Sequence, residues 1–182
     1  MEKRNLVLNS IKNKKNQQYL KYTVDSINLK LASTEVELIE IKKLQNQNLK
    51  GNLSPEKIFE EGFLTADYTL SYLKEINQKN KAIILKKKKV IGYALAITAE
   101  GAKNHTLLSN LFTHFNNQVY KNKLLGEQSY IVVGQLCIDE KYRGMGYVEK
   151  IYSLFRETYS NYRYCVTAIA VSYTHLTLPT KA

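Results

Sequence analysis

Residues 130–155 read YIVVGQLCIDEKYRGMGYVEKIYSLF, and this segment decides the fold. Its first nine residues are almost all apolar, which is typical of an inner strand covered on both faces. A polar loop with two glycines, residues 139–147, follows the apolar run. Apolar side chains then return at helical spacing, at Val148, Ile151 and Phe155. The segment therefore predicts a strand, a glycine loop and a helix in succession.

A glycine loop between a strand and a helix can hold a phosphate group. Backbone N–H groups converge at the start of a helix, where the positive end of the helix dipole favours an anion. Gly144 and Gly146 allow the close backbone approach that phosphate requires, and Arg143 adds positive charge. The segment lacks Gly-Lys-Ser/Thr, which excludes the P-loop of nucleoside triphosphatases. Glu149 stands where the dinucleotide fingerprint has its third glycine, which argues against a Rossmann site.

Periodicity in the rest of the chain predicts an α/β domain. A capping box of Ser33 or Thr34 with Glu37 begins a helix that we expect to end at Gly51. Two short helices with a bend between them follow from residue 55. The remaining predicted elements are strands at residues 25–32, 82–86, 90–98 and 163–170 and a helix at residues 107–120.

The strands at 82–86 and 90–98 form a predicted hairpin, and the turn between them contains the four lysines of residues 86–89. Such a cluster could hold phosphate. Charged residues at a turn more often keep a sheet soluble and unpaired. We favour a solvated turn for these lysines.

The loop and its context resemble a known family. Residues 143–148, RGMGYV, are similar to the Gln/Arg-x-x-Gly-x-Gly/Ala signature of the GNAT superfamily of acetyl-CoA-dependent N-acetyltransferases. Val148 departs from the last position of that signature, and we expect it to crowd the start of the helix. Residues 90–94 resemble the family's third strand, and residues 61–64 resemble the turn before its second helix. The resemblance spans roughly residues 25–170.

The resemblance implies an α/β fold with a GNAT-like mixed, mostly antiparallel sheet flanked by helices. Its parallel central strands, at residues 130–138 and 163–170, are expected to splay so that acetyl-CoA, the co-substrate, enters between them. The pantetheine arm is expected along the strand, and the pyrophosphate on the backbone amides of residues 143–148. The implied cofactor-binding residues are Leu136, Cys137, Ile138, Arg143, Gly144, Met145, Gly146, Tyr147 and Val148.

The function implied by the resemblance is transfer of an acetyl group from acetyl-CoA to a primary amine. The candidate amines are aminoglycosides, polyamines, ribosomal amino termini and free amino acids. Glu61, Tyr93 and Glu100 are candidates for contacting this small-molecule or peptide acceptor. We name no catalytic residue, because the base and the acid differ between members of the family.

Length and composition exclude several classes of protein. The chain has 182 residues, enough for one domain, and no apolar run approaches the roughly 20 residues that span a bilayer. The amino terminus has no signal-peptide pattern, so we expect a cytoplasmic protein without a membrane partner. Cys137, Cys165 and the three histidines show no metal-ligand spacing. We therefore expect no metal and two buried thiols.

The formal net charge is +11, from 27 Lys and Arg against 16 Asp and Glu. Such a field attracts polyanions, among them nucleic acid and phosphorylated cofactors. We favour an ordinary solvated lysine-rich surface and disfavour nucleic acid as a partner, while a homodimer stays open. The alternative function is a non-catalytic basic module that binds nucleic acid or senses CoA.

The two ends of the chain differ in composition from its middle. Residues 1–22 are polar, and we expect an N-terminal extension there. Residues 23–170 form the predicted acyltransferase domain. Residues 171–180 resemble a sequencing-library adapter translated in one frame, so we expect residues 171–182 to be a non-native tail. On that interpretation the domain is truncated at its C-terminal side and incomplete as an enzyme.

Overall fold

A computed structural model describes residues 26–168 of the chain. The predicted N-terminal extension at residues 1–22 and the predicted tail at residues 171–182 lie outside the described residues. The ends of the predicted strands 25–32 and 163–170 also lie partly outside them.

The structure has seven strands and six α-helices in the described part of the chain. The strands are β1 Asn28–Leu31, β2 Ile83–Lys86, β3 Val90–Ile97, β4 Val119–Tyr120, β5 Lys123–Leu124, β6 Tyr130–Ile138 and β7 Tyr164–Val166. The helices are α1 Glu35–Asn48, α2 Pro55–Glu61, α3 Leu70–Lys79, α4 Ala99–Ala102, α5 Thr106–Asn116 and α6 Tyr147–Thr158. The bounds of β6 are those predicted from its apolar run.

Five strands form one sheet in the order β1-β2-β3-β6-β7. The first four pair antiparallel, and β6 and β7 pair parallel, with α6 as the crossover between them. The predicted mixed, mostly antiparallel sheet flanked by helices is confirmed. β7 pairs only with the first three residues of β6, through Tyr130↔Tyr164, Ile131↔Cys165 and Val132↔Val166.

Helices cover both faces of the sheet. On one face the apolar sides of α1, α3 and α5 pack on the strands, through residues such as Ile41, Leu73 and Phe112. On the other face α6 packs through Ile151 and Phe155. This sandwich explains why β6 is apolar on both sides. Within residues 26–168, no helix combines the length and the apolar character that a membrane crossing requires.

The predicted capping box at the start of α1 is confirmed, with Thr34 as the N-cap. The Glu37 side chain is 1% exposed and accepts hydrogen bonds from Lys30 Nζ at 2.7 Å and Lys86 Nζ at 3.0 Å. It also accepts from the backbone N–H groups of Ser33 and Thr34. Burial opposes ionisation of this carboxyl, but these donors outweigh burial and hold its pKa well below its usual range. Glu37 therefore links β1 and β2 to α1 as an ionised group.

An irregularity at Gly134 interrupts β6. Leu95 pairs with Gln135 and the next residue, Ala96, pairs with Val133, so Gly134 is an extra residue on β6. A Cβ atom at Gly134 would lie 2.2 Å from Cδ1 of Ile97. The close approach of Ile97 therefore requires glycine at this position.

Two sequence predictions are wrong. The helix predicted at residues 107–120 ends at Asn116, and Val119, expected on its apolar face, lies 68% exposed in β4. The β4–β5 turn explains the end of the helix, because Lys121 and Asn122 both have positive φ. Cys165, expected to be buried, is exposed on the short strand β7.

Candidate functional site

The loop from β6 to α6 is built from two successive turns. Asp139 Oδ1 accepts from the N–H of Lys141 and begins a one-turn 3-10 helix, Glu140–Tyr142. Gly144 and Gly146 then adopt left-handed conformations, with φ of 71° and 73°. A Cβ atom at either glycine would meet nothing within 4 Å. The backbone conformation, and not a lack of space, therefore favours glycine at both positions.

Gly146 is the N-cap of α6, and no side chain caps this end of the helix in the described part of the chain. The first N–H groups of an α-helix have no acceptor within the helix, and they carry the positive end of its dipole. Open space around both glycines leaves room for a group in front of these donors. Free donors and open space at a helix start are the features that binding of an anion requires.

Arg143 braces the loop. Its Nε donates to the Ile138 carbonyl at 3.0 Å, and its Nη2 donates to Asn48 Oδ1 at 2.5 Å. Its backbone N–H donates to the Glu140 carbonyl at 3.2 Å. The expectation that the Arg143 N–H faces a pyrophosphate is therefore corrected: this N–H is used inside the loop. The backbone N–H groups that could face a pyrophosphate therefore begin at Gly144, one residue after Arg143.

Strand β6 presents its backbone alternately to its two neighbours. The N–H of Asp139 donates to the Ile91 carbonyl at 2.8 Å, so Gly92 and Ile138 form a non-hydrogen-bonded pair. The backbone groups of Ile138 and Leu136 therefore point away from β3, toward the side of β7. The Ile138 carbonyl on that side accepts from Arg143, which joins the strand to the loop.

The other predicted site residues differ in exposure. Cys137 faces α1 and α3, is 5% exposed, and has its pKa raised to about 12 by burial, so it stays a thiol. Met145 and Val148 are exposed, at 57% and 41%. Because Val148 is exposed, its side chain does not show the crowding that we expected at the start of the helix. Tyr147 packs partly against the α6 side of the sheet.

A buried polar network beside Gly134 escaped the sequence prediction. The Gln135 Oε1 atom accepts from Tyr93 Oη at 2.6 Å and from Gln45 Nε2 at 2.9 Å, and its Nε2 donates to the Ala66 carbonyl at 2.9 Å. Gln45 Oε1 in turn accepts from the N–H of Tyr68 at 3.0 Å. The network ties α1, the segment before α3 and β3 to β6. A polar glutamine inside an apolar strand is the signal that could have predicted it.

The candidate acceptor contacts do not come together in the structure. Tyr93 is 0% exposed, so it has no surface to offer a substrate. Burial raises its pKa well above the ordinary value. Glu100 pairs with Lys79 at 3.0 Å, and the hydrogen bond from Lys79 lowers its pKa. The Glu61 side chain lies outside what the structure describes.

A cleft of about 140 Å³ lies between α1, α2 and the loop. Lys57 and Glu140 form an ion pair at 2.7 Å that joins α2 to the 3-10 turn. The residues lining the cleft are Leu44, Gln47, Asn48, Leu53, Lys57, Gly62, Asp139, Glu140 and Arg143. Its walls combine amides with charges of both signs, which suits a polar ligand. Among residues 26–168, no group of three His, Cys, Asp or Glu side chains is arranged to hold a metal ion.

The mixed, mostly antiparallel sheet, with a glycine turn at the end of an inner strand, agrees with the GNAT-like fold expected from the sequence. No protein-family model matches the sequence, and no curated protein is significantly similar to it. Several solved structures share the fold of this chain, at sequence identities of 12–13%.

Three similar structures have TM-scores just above 0.5. The aminoglycoside N-acetyltransferase AAC(6')-Iy, in complex with a CoA bisubstrate analogue, is 12% identical with a TM-score of 0.52, over 84% of this chain and 85% of that one. The NatC complex bound to Gag peptide and CoA is 13% identical with a TM-score of 0.51, over 83% of this chain and 79% of that one. A tetramutant of a Bacillus halodurans protein is 13% identical with a TM-score of 0.51, over 82% and 86%.

Proposed function

We propose that this chain is an N-acetyltransferase that transfers an acetyl group from acetyl-CoA to a primary amine. The observation that carries the proposal is the left-handed turn of Gly144 and Gly146 at the start of α6, directly after an inner strand. The GNAT fold and the CoA ligands of AAC(6')-Iy and NatC support it. Likeness of fold does not select the acceptor amine.

The loop residues would hold the pyrophosphate. The N–H groups from Gly144 to Val148 offer donors at the positive end of the helix dipole. Met145 lies between the two glycines and contributes its backbone. Arg143 acts by bracing the loop against Ile138 and Asn48, and its charge adds to the local field. We assign it as a positioning residue within this cradle.

The strand residues would hold the pantetheine arm. The N–H and carbonyl groups of Leu136 point away from β3, as does the N–H of Ile138. Cys137 faces the core between these two residues and contributes only packing. Since the Ile138 carbonyl already accepts from Arg143, Leu136 offers the more accessible backbone groups for an extended ligand.

Acetyl-CoA supplies an activated thioester, whose carbonyl carbon an uncharged amine attacks. The outward N–H of Leu136 is our candidate donor to the thioester oxygen, which gains negative charge in the transition state. The new N–C bond forms as the C–S bond breaks, the amine loses a proton and the thiolate gains one. We assign no residue to these two proton transfers.

Calorimetric titration with acetyl-CoA tests the cradle. We expect the wild-type chain to bind, and Gly146→Asp to weaken binding at least tenfold, because it places a carboxylate beside the pyrophosphate. Gly146→Asn is the matched control: asparagine has the same shape and tolerates a positive φ equally well, but it carries no charge. Equal losses in both variants, or none in either, would contradict the cradle.

Release of the CoA thiol in the presence of a panel of amines tests the transfer itself. The panel contains free amino acids, polyamines, an aminoglycoside and a peptide with a free amino terminus. Cys165→Ser is the background for this assay, because the exposed Cys165 thiol consumes the thiol reagent. Amine-dependent release supports the enzyme. Tight CoA binding without release from any amine would favour the CoA-sensing alternative.

A further inference from the structure

The turn formed by residues 86–89, which we call the lysine turn, lies at the same end of the sheet as the β6–α6 loop. Gly92, near the start of β3, pairs with Ile138, the last residue of β6. The N–H of Asp139 donates to the Ile91 carbonyl at 2.8 Å. Lys89 Nζ lies 3.6 Å from Asp139 Oδ2. The antiparallel register thus brings a side chain of the turn into contact with the loop.

The start of α6 lies on the same side as the lysine turn. Helix α6 packs against β2, since Ile151 and Phe155 share a core with Ile83 and Leu85. At its C-terminal end, Tyr159 Oη donates to the carbonyl of Lys81, just before β2, at 2.5 Å. Helix α6 therefore runs antiparallel to β2. Its N-terminus points toward the end of β2, where the lysine turn begins.

The lysines of the turn differ in their surroundings. Lys86 is half-buried and pairs with Glu37 at 3.0 Å. Lys88 is exposed, and the Lys89 side chain is 62% exposed. Four carboxylates lie near this end. Asp139 is reached by Lys89 and Glu140 pairs with Lys57. Glu40 accepts from the N–H of Val90 at 3.1 Å, and Glu149 lies in the first turn of α6. Lys88 and Lys89 therefore place positive charge beside the glycine cradle on its sheet side.

We propose that Lys88 and Lys89 bind the 3′-phosphate of the adenosine part of CoA. The inference rests on the proposed function and extends it to a second anion site. In CoA the 3′-phosphate is attached to the same ribose as the pyrophosphate chain, so a ligand seated on the α6 cradle carries a second anion close by. Two exposed ammonium groups suit a phosphate as point charges, without the fixed geometry of arginine.

Titration with CoA and with dephospho-CoA, which lacks only the 3′-phosphate, tests this site. We expect the wild-type chain to bind CoA about tenfold more tightly at low salt, and the preference to shrink as salt rises. The double variant Lys88→Ala/Lys89→Ala is expected to lose most of the preference for CoA. Its affinity for dephospho-CoA should change less than about twofold, because the α6 cradle is untouched.

The matched control is Lys79→Ala/Lys103→Ala. It removes the same net charge at the opposite end of β3, where Lys79 pairs with Glu100. This variant should keep the preference for CoA, which separates a local contact from a general loss of positive field. A wild-type chain that binds both ligands equally, or a turn variant that keeps the preference, would overturn the lysine site and leave the proposed function standing. A chain that binds neither ligand would overturn both.

Discussion

Arg143 and Asn48 are 95 residues apart in sequence, and the Arg143 guanidinium donates to the Asn48 side-chain oxygen at 2.5 Å. The contact joins the β6–α6 loop to the C-terminal end of α1. Asn48 is itself fixed, because its Nδ2 donates to the Leu44 carbonyl at 2.8 Å. The loop that we propose as the phosphate cradle is thus held from the opposite face of the sheet.

The first prediction concerns this brace. Asn48→Ala and Arg143→Ala are each expected to lower the free energy of unfolding by about 1–2 kcal/mol, since each breaks a charge-assisted hydrogen bond. The double variant should cost less than the sum of the two, because both remove the same contact. Urea denaturation measures all three. Asn48→Ala should also weaken acetyl-CoA binding, and unchanged affinity in that variant would show that the brace does not position the loop.

The second prediction concerns Gly134. Gly134→Ala is expected to destabilise the protein by about 2–3 kcal/mol, because its Cβ atom would overlap Cδ1 and Cγ1 of Ile97. In an Ile97→Ala background those atoms are absent, and adding Gly134→Ala should then cost less than about 0.5 kcal/mol. A double-mutant cycle by thermal or urea denaturation measures the difference. Equal costs in the two backgrounds would mean that the overlap with Ile97 is not the cause.

The third prediction compares two changes in the buried network. Tyr93→Phe leaves Gln135 Oε1 bonded to Gln45, so we expect a loss of about 1 kcal/mol. Gln135→Leu strands the Tyr93 hydroxyl, the Gln45 amide and the Ala66 carbonyl at once, and we expect about 3 kcal/mol or more. Urea denaturation followed by circular dichroism ranks the two variants. A larger loss of stability in Tyr93→Phe than in Gln135→Leu would show that the network depends more on Tyr93 than on Gln135.

The fourth prediction concerns pH and Glu37. The pKa of Glu37 is lower in the folded chain than in the unfolded chain, so its contribution to stability is full above the unfolded pKa of about 4.3. That contribution disappears as the pH falls toward the folded pKa. At pH 7 we expect Glu37→Gln to cost about 2 kcal/mol, from the lost ion pairs and the weakened capping box.

The gap in unfolding free energy between wild type and Glu37→Gln should therefore narrow below about pH 4. Glu35→Gln is the control, since Glu35 lies in the same helical turn but is 61% exposed. Its effect should be small at every pH. A gap for Glu37→Gln that stays constant from pH 7 to pH 3 would contradict the ionic role of this residue.

Local patterns in the sequence predicted those parts of the fold that depend on local physics. The apolar run gave the bounds of β6, and the capping box gave the start of α1. Apolar periodicity failed where Val119 continued the helical pattern of residues 107–116 by coincidence. The turn at Lys121 and Asn122 was missed because it lacks the Asn-Gly pair that usually marks a tight hairpin.

The candidate site was only partly predictable for a related reason. Gly144 and Gly146 are two residues apart in sequence, and glycine permits the left-handed conformations that both adopt. The partners of Arg143 and Gln135 come from α1, β3 and the segment before α3, and pairing between such distant residues leaves no local pattern. The contact between the lysine turn and Asp139 depends on the register between β3 and β6, which the local pattern of either strand does not reveal.

The extra residue at Gly134 also shifts, by one residue, the alternation of β6 side chains between the two faces of the sheet. Before it, Ile131 and Val133 face α6; after it, the odd-numbered Gln135 and Cys137 face α1 instead. In its geometry, β6 is a regular strand with one added residue, so deletion of Gly134 would leave all the remaining side chains of the strand on their present faces. Deletion of a single codon would thus remove the irregularity beside the proposed cofactor path without moving any side chain from one core to the other.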